Sequence, residues 1–296
     1  HVRALAARAG ERLRIAGRRA VERSDFKAGL GLLERAAALL PDERRDPRFE
    51  VILAWARYNL GHRDAAMAGL AEAAARAAAA GNRVAEFPLR LERETYQIVG
   101  ATEGSAQRLR ELAEEALPIL EAAGDEWALT IAYGSLLVAE EAQGSSKGAL
   151  VAAAERVVEH ARLAGDRVWS DWGESQLVLA KYFGSTPVEE CLRWLDEHPH
   201  VDRRAMLPYR PFFLAMLGQF DEANRVLTGV SDRLDELGAV RHRTWLAWRR
   251  FEIAMLEADP TRAAEAARAA CEVATTPGAL SNLEWLCCNL AQALLG

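Results

Sequence analysis

IAGRRAVERSDFKAGLGLLERAAALLP, residues 15–41, holds two apolar runs separated by Ser24-Asp25 and closed by Pro41. Small residues recur at Ala16-Gly17, Ala28-Gly29 and Ala36, where two antiparallel helices would cross closely. Alanine and leucine fill both runs, and both are strong helix formers. Proline lacks the amide hydrogen that a continuing helix needs. The stretch therefore predicts a helical hairpin, and the remainder of the chain can be searched for copies of it.

Composition agrees. The 296 residues are 50% hydrophobic, enough for two ordinary domains or for one long array of stacked hairpins. Alanine-rich runs such as 73–80 favour helix, while Val and Ile occur singly, without the alternation of a strand. The expected class is all-α. Net charge is −6, unevenly spread: residues 1–50 carry twelve Lys/Arg against eight Asp/Glu, so +4, which leaves −10 for the rest. An acidic body argues against non-specific nucleic-acid binding. The basic beginning reads as a solvated helix face.

Cys191, Cys271, Cys287 and Cys288 show no CxxC spacing, and adjacent cysteines rarely bridge without strain. Reduced thiols in a cytoplasmic protein are the expectation. No apolar run approaches the ~18 residues of a membrane span, and no signal peptide precedes the first helix. The chain starts at His1, which suggests an excised piece of a longer polypeptide.

The inter-helix turn at Ser24 recurs at Gly61, Gly104, Gly144, Thr186, Gly218, Ala258 and Gly296, in steps of 37, 43, 40, 42, 32, 40 and 38. A second column at Gly81, Gly124, Gly165 and Gly238 follows the first by 20 or 21 residues. Glycine just past a helix end takes up the left-handed conformation that closes the last turn. Each unit thus reads as helix A, turn, helix B, turn. Approximate units are 10–46, 47–82, 83–125, 126–166, 167–200, 201–239 and 240–278, with a partial one at 279–296.

Helix starts fit this division. Thr186-Pro187-Val188-Glu189 predicts an N-cap hydroxyl, a proline at the first helical position and a capping-box glutamate. Asp259-Pro260 repeats the cap and the proline. Helix B places a small residue at Gly29, Ala66, Ala149, Cys191, Ala223 and Ala263, with Leu109 the exception. Four residues later come Leu33, Leu70, Ala113, Ala153, Leu195, Leu227 and Ala267, expected to fill the gap to the next unit. The fifth unit is short and ends at His198-Pro199-His200, which predicts a local change of curvature.

These positions resemble the tetratricopeptide repeat, whose pattern W-x2-L-G-x2-Y, A-x3-F, P spans about 34 residues. Ala16-Gly17 stands for the Leu-Gly pair, Ala20 for the Tyr, Gly29 for the Ala, Leu33 for the Phe and Pro41 for the Pro. Trp285 matches the Trp, with Cys288-Asn289 in place of Leu-Gly. The resemblance implies a right-handed superhelical solenoid of about seven and a half repeats over residues 1–296. Residues 120–137, 157–167, 183–192 and 214–227 are similar to the C-terminal repeat regions of large, mostly actinobacterial, signalling regulators. In those proteins a P-loop ATPase module and a nucleotide cyclase or DNA-binding output domain precede the repeats. The resemblance implies a sensor or scaffold arm that binds protein or peptide, the upstream domains included, or a small-molecule effector.

No catalytic set, metal site or cofactor motif emerges. Gly100–Ser105 and Gly144–Lys147 lack the spacing of a phosphate loop and occupy repeat turns. His198 and His200 offer half of a metal site without further ligands, so a loop is the preferred reading. In the repeat family helix A lines the concave face. Its ninth, twelfth and fifth positions here nominate Arg14, Arg18, Trp55, Tyr58, Phe183, Phe212, Trp248 and Glu252 as groove residues. The alternative is that these aromatics pack between units. The basic helix at 241–252 carries Trp245 and Trp248 and reads as a repeat helix with its aromatic side inward, leaving Arg249 and Arg250 to meet an acidic partner. The expected function is non-enzymatic, with neither nucleic acid nor membrane as partner. A free-standing structural adaptor is the alternative.

Overall fold

Segments rich in Ala, Leu, Arg and Glu, punctuated by Gly and Pro, fold as helices throughout. The computed structural model describes residues 2–98, 104–182, 184, 186–204, 209–236 and 242–275. Among the described residues there are fifteen α-helices and no strand. They are α1 Val2–Glu22, α2 Phe26–Leu39, α3 Pro47–Asn59, α4 Arg63–Ala79, α5 Arg83–Ile98, α6 Ser105–Ala123, α7 Glu126–Ala142 and α8 Lys147–Leu163. After these come α9 Arg167–Tyr182, α10 Val188–Glu197, α11 Pro199–Arg204, α12 Tyr209–Met216, α13 Phe220–Glu236, α14 His242–Leu256 and α15 Pro260–Ala274. No described helix is long and apolar enough to cross a membrane.

The chain divides into two compact units, His1–Leu177 and Val178–Gly296, and the division falls inside α9. In the first, each helix from α1 to α7 packs on the next, and the odd-numbered helices also pack on one another, α1 on α3, α3 on α5 and α5 on α7. In the second, α10 packs on α11 and α12, α12 on α13 and α14, and α14 on α13 and α15.

The turn columns carry this pattern. Nine described residues have a left-handed φ: Ser24 at 63°, Ala258 at 57°, and the glycines at 61, 81, 104, 124, 144, 165 and 218. All nine lie in the two columns. Thr186 does not join them. Helix α10 begins at Val188, and the carbonyl of Pro187 accepts from the Glu190 and Cys191 amides, at 3.0 and 3.1 Å. With Pro187 as the cap residue, no side chain caps the helix, so the capping box predicted at Thr186 and Glu189 is absent. The Asp259-Pro260 start is as predicted, with Asp259 accepting from the Arg262 amide at 3.0 Å.

Gly17 and Gly29 set the closest approach in the first hairpin. A Cβ on Gly17 would lie 2.7 Å from Leu33, and one on Gly29 would lie 2.7 Å from Val21. Leu33, Ala36, Ala66, Leu70, Leu109, Ala113, Cys191, Leu195, Ala223, Leu227, Ala263 and Ala267 are all buried, as helix B predicts. The fourth sequence repeat, 126–166, departs from the scheme. Ala149 and Ala153 are only partly buried, and Ala154, Val157 and Ala161 take the core positions. Here Ser146 caps α8, two residues after Gly144, whereas Asp25 and Asp259 cap their helices one residue after the left-handed position. The extra turn residue moves the buried face on by one. Trp285, Cys287, Cys288 and the turns at Gly238 and Gly296 lie outside the described residues.

Candidate functional site

The odd-numbered helices of the first unit converge on a run of aromatic rings. Helix α3 supplies Trp55 and Tyr58 because its sequence, PRFEVILAWARYN, is apolar on nearly every side, and a helix of that kind is buried all round. Tyr58 stacks on Tyr96 of α5, centroids 4.1 Å apart and planes 7° from parallel. Trp55 meets Trp169 of α9 at 5.4 Å, and Trp169 meets Trp172 edge-on at 5.7 Å. Gly134 of α7 leaves room for Trp172, whose ring would lie 3.3 Å from a Cβ there. Rings in such offset and edge-on arrangements attract one another beyond the area they bury. Trp55 and Tyr58 are 8% and 6% exposed.

Polar groups frame these rings. Arg18 of α1 holds Glu22 at 3.2 Å and Asp166 at 3.0 Å, across 148 residues of sequence. Asp166 is buried and also accepts from the Val168 and Trp169 amides, so it caps the helix that carries Trp169. One ion pair thereby ties the first helix of the unit to its ninth. Asn59, fully buried, donates to the Trp55 carbonyl at 2.8 Å, and its own side-chain oxygen has no hydrogen-bond partner among the described residues. The Arg63 guanidinium donates to the carbonyls of Tyr96 and Gln97 at 2.9 and 3.2 Å, closing the C-terminal end of α5.

Glu92 lies one helical turn before Tyr96. Burial pushes its carboxyl up to about 8, and hydrogen bonding to Tyr96 pulls the other way. At neutral pH the group is therefore a carboxylic acid, able to donate a proton as well as accept one.

Of the eight residues predicted for a groove, Arg18, Trp55 and Tyr58 meet at this site. Arg14 lies on the same helix as Arg18 and is held by Glu11 at 2.9 Å and Asp46 at 3.4 Å. Within the first unit the two aromatics pack between helices instead of facing an open groove, because α9 brings Trp169 onto Trp55 and α5 brings Tyr96 onto Tyr58. Phe183 lies outside the described residues.

Phe212, Trp248 and Glu252 belong to the second unit and gather there around one side chain, Arg249. Its guanidinium sits over Phe212 at 4.8 Å, Trp248 at 5.0 Å and Tyr209 at 5.7 Å, and it pairs with Glu252. Arg249 is 0% exposed, so it is not the surface contact for an acidic partner that the sequence suggested. Three ring faces attract the cation, and that makes its burial tolerable. Arg250 is exposed and donates to Ser231 at 3.0 Å. His198 stacks on Trp194, with ring centroids 4.0 Å apart.

Sequence reasoning missed Glu92, Tyr96, Asp166 and Trp169, and placed Arg249 at the surface instead of in the core. A signal existed for two of them. Glu92 stands in the stripe Pro88, Leu89, Glu92, Tyr96, and Arg249 stands between Trp248 and Phe251; a charge set in a stripe of apolar side chains marks a buried, partnered group.

A scan against protein-family models finds no match for this chain, and a search of curated proteins finds none either.

Proposed function

We propose that the chain is a non-catalytic scaffold and sensor arm of tetratricopeptide type, serving a multidomain bacterial signalling regulator in the cytoplasm. In this reading the hairpins continue as a right-handed superhelical solenoid, and the partner is a protein or peptide. That partner includes the ATPase or cyclase domains of the same polypeptide, and a small effector tunes the contact. The supporting observation is the inner layer of the first unit, where Arg18–Asp166 and Trp55–Trp169 join hairpins far apart in sequence. A ligand that prefers one curvature of such an array shifts its population and changes what the arm presses against. The ion pair and the ring contact are where a change of curvature would be felt.

The burial of Trp55 and Tyr58 favours a second reading, a structural adaptor that assembles other proteins and senses nothing. The coding region upstream of His1 separates the two: a P-loop module with an output domain supports the regulator, a start codon at that point the adaptor. In a polypeptide that includes such a module, Arg18→Ala, which breaks the tie to Asp166, is expected to change the ATP hydrolysis rate several-fold while far-UV helicity persists. An unchanged rate would remove the sensor role. ATP hydrolysis by residues 1–296 alone would overturn the non-enzymatic assignment.

A further inference from the structure

Helix α1 presents a face that its neighbours do not cover. Leu5, Arg8, Arg12, Ile15 and Arg19 are all exposed, and their spacing of three, four, three and four residues keeps them on one side of the helix. At about 100° per residue they fall within roughly 80° of arc. Leu5 and Ile15 are each 48% exposed, and Val2, Ala9 and Ala16 continue the apolar border on one side. The opposite side of α1, with Ala7, Gly10, Gly17, Ala20 and Val21, is the buried one.

Charge on this face has one sign. Arg8, Arg12 and Arg19 make no ion pair with a described residue. The two acids of α1, Glu11 and Glu22, lie at the edge of the arc and are held by Arg14 and Arg18 at 2.9 and 3.2 Å. The face thus combines three uncompensated guanidinium groups with large aliphatic side chains at helix-packing spacing. Surplus positive charge attracts carboxylates, and arginine binds them in a two-pronged fashion. Leu5 and Ile15, half in water, gain from an apolar stripe laid against them. A phosphate backbone would answer the arginines but leave both aliphatic groups wet.

We propose that this face of α1 docks an acidic amphipathic helix of another polypeptide, with carboxylates opposite Arg8, Arg12 and Arg19 and a Leu/Ile stripe against Leu5 and Ile15. The inference concerns the outside of the first hairpin and does not depend on the sensor reading of the inner layer.

The probe is a fluorescently labelled, three-turn-or-longer designed helix with a leucine stripe flanked by glutamates, followed by anisotropy. Binding to the whole chain should weaken with added salt. Exchanging the glutamates for lysines, or the leucines for serines, should abolish it. Arg8→Glu with Arg12→Glu and Arg19→Glu should weaken binding by at least about tenfold, and Leu5→Ser with Ile15→Ser by about fivefold or more. All five side chains are exposed, so circular dichroism and thermal unfolding should match the parent, which separates lost binding from lost fold. Equal binding of the serine or lysine peptide, or of the triple glutamate variant, overturns the proposal. So does arginine-dependent binding of phosphatidylserine vesicles or duplex DNA when the acidic peptide does not bind. Arginine-dependent self-association in sedimentation, again without peptide binding, would assign the face to a second copy and equally overturn it.

Discussion

Both units of this chain turn aromatic side chains inward, but the rings enclose different things. In the first unit they enclose one another. Tyr58 lies on Tyr96 and Trp55 on Trp169, and the acid next to them, Glu92, sheds its charge by keeping its proton. In the second unit Tyr209, Phe212 and Trp248 surround a guanidinium, and Glu252 answers its charge. A buried carboxyl can escape desolvation by neutralising itself, whereas an arginine cannot, since it keeps its proton at any accessible pH. A buried charge is therefore avoided at the rings of one unit, by a carboxyl that keeps its proton, and matched in the other, by Glu252 and three ring faces.

The sharpest way to break this contrast is Arg249→Ala. Removing the cation leaves three ring faces around a hole and deletes the Arg249–Glu252 ion pair. Truncating one side of a buried ion pair costs about 3–5 kcal/mol. Urea denaturation of the whole protein should show that loss, chiefly in the transition that carries the second unit. Arg249→Met with Glu252→Gln, which removes both charges and keeps the volume, should recover most of it. Equal losses in the two variants would show that the charge pairing is incidental.

Next in size is the counterpart in the first unit, Glu92→Gln. The carboxyl rises from 4.5 to about 8 on folding, so between those values the native state holds a proton that the unfolded chain has lost. Stability therefore falls as pH rises through that window and levels off above about 8. Glutamine resembles the protonated acid and has nothing to lose. The variant should match the parent near pH 4 and exceed it by roughly 4 kcal/mol at pH 8 and above. Thermal unfolding across pH reads the gap directly, and a constant offset would mean that Glu92 is already ionised.

How much of this was readable beforehand depends on how local each feature is. A left-handed turn is decided by a few neighbouring residues, so the columns through Gly61, Gly81, Gly124 and Gly165 could be found by spacing. Burial in helix B follows from counting five residues past each turn, and it fails only where Ser146 adds a turn residue. The inner site is different. The meeting of Arg18 with Asp166 depends on how several hairpins curve together, and no window around either residue contains that information. The sequence could nominate Trp55 and Tyr58 as inner residues. It could not show that Trp169 would cover the first and Tyr96 the second.

A third test strikes what the units are built from, not what they enclose. A methyl group on Gly29 must displace Val21, 2.7 Å away, and crowds the Gly17 carbonyl at 3.3 Å. Gly29→Ala should gain about 1 kcal/mol of intrinsic helix propensity and lose about 1–3 kcal/mol to overpacking. The net is a modest destabilisation. Gly31→Ala, on the same helix with nothing within 4 Å, keeps the gain without the loss and should stabilise the protein. Opposite signs from glycines two residues apart would confirm that close helix crossing, not turn chemistry, fixes Gly29.

The smallest effect is expected at the tie between α1 and α9, and it sharpens the comparison because it probes charge beside the rings of the first unit. Arg18 is about one-third exposed and keeps Glu22 as a second partner, so Arg18→Ala should cost no more than about 1 kcal/mol. Asp166→Ala should cost more, about 1–2 kcal/mol, since the same carboxylate caps α9 beneath Trp169. In a double-mutant cycle the coupling isolates the ion pair from the cap. A coupling near zero, with Trp fluorescence altered only when Asp166 is replaced, would show that α9 is held by its rings and its cap. A coupling near 1 kcal/mol that falls with added salt would show that the ion pair itself holds the first hairpin against the fifth.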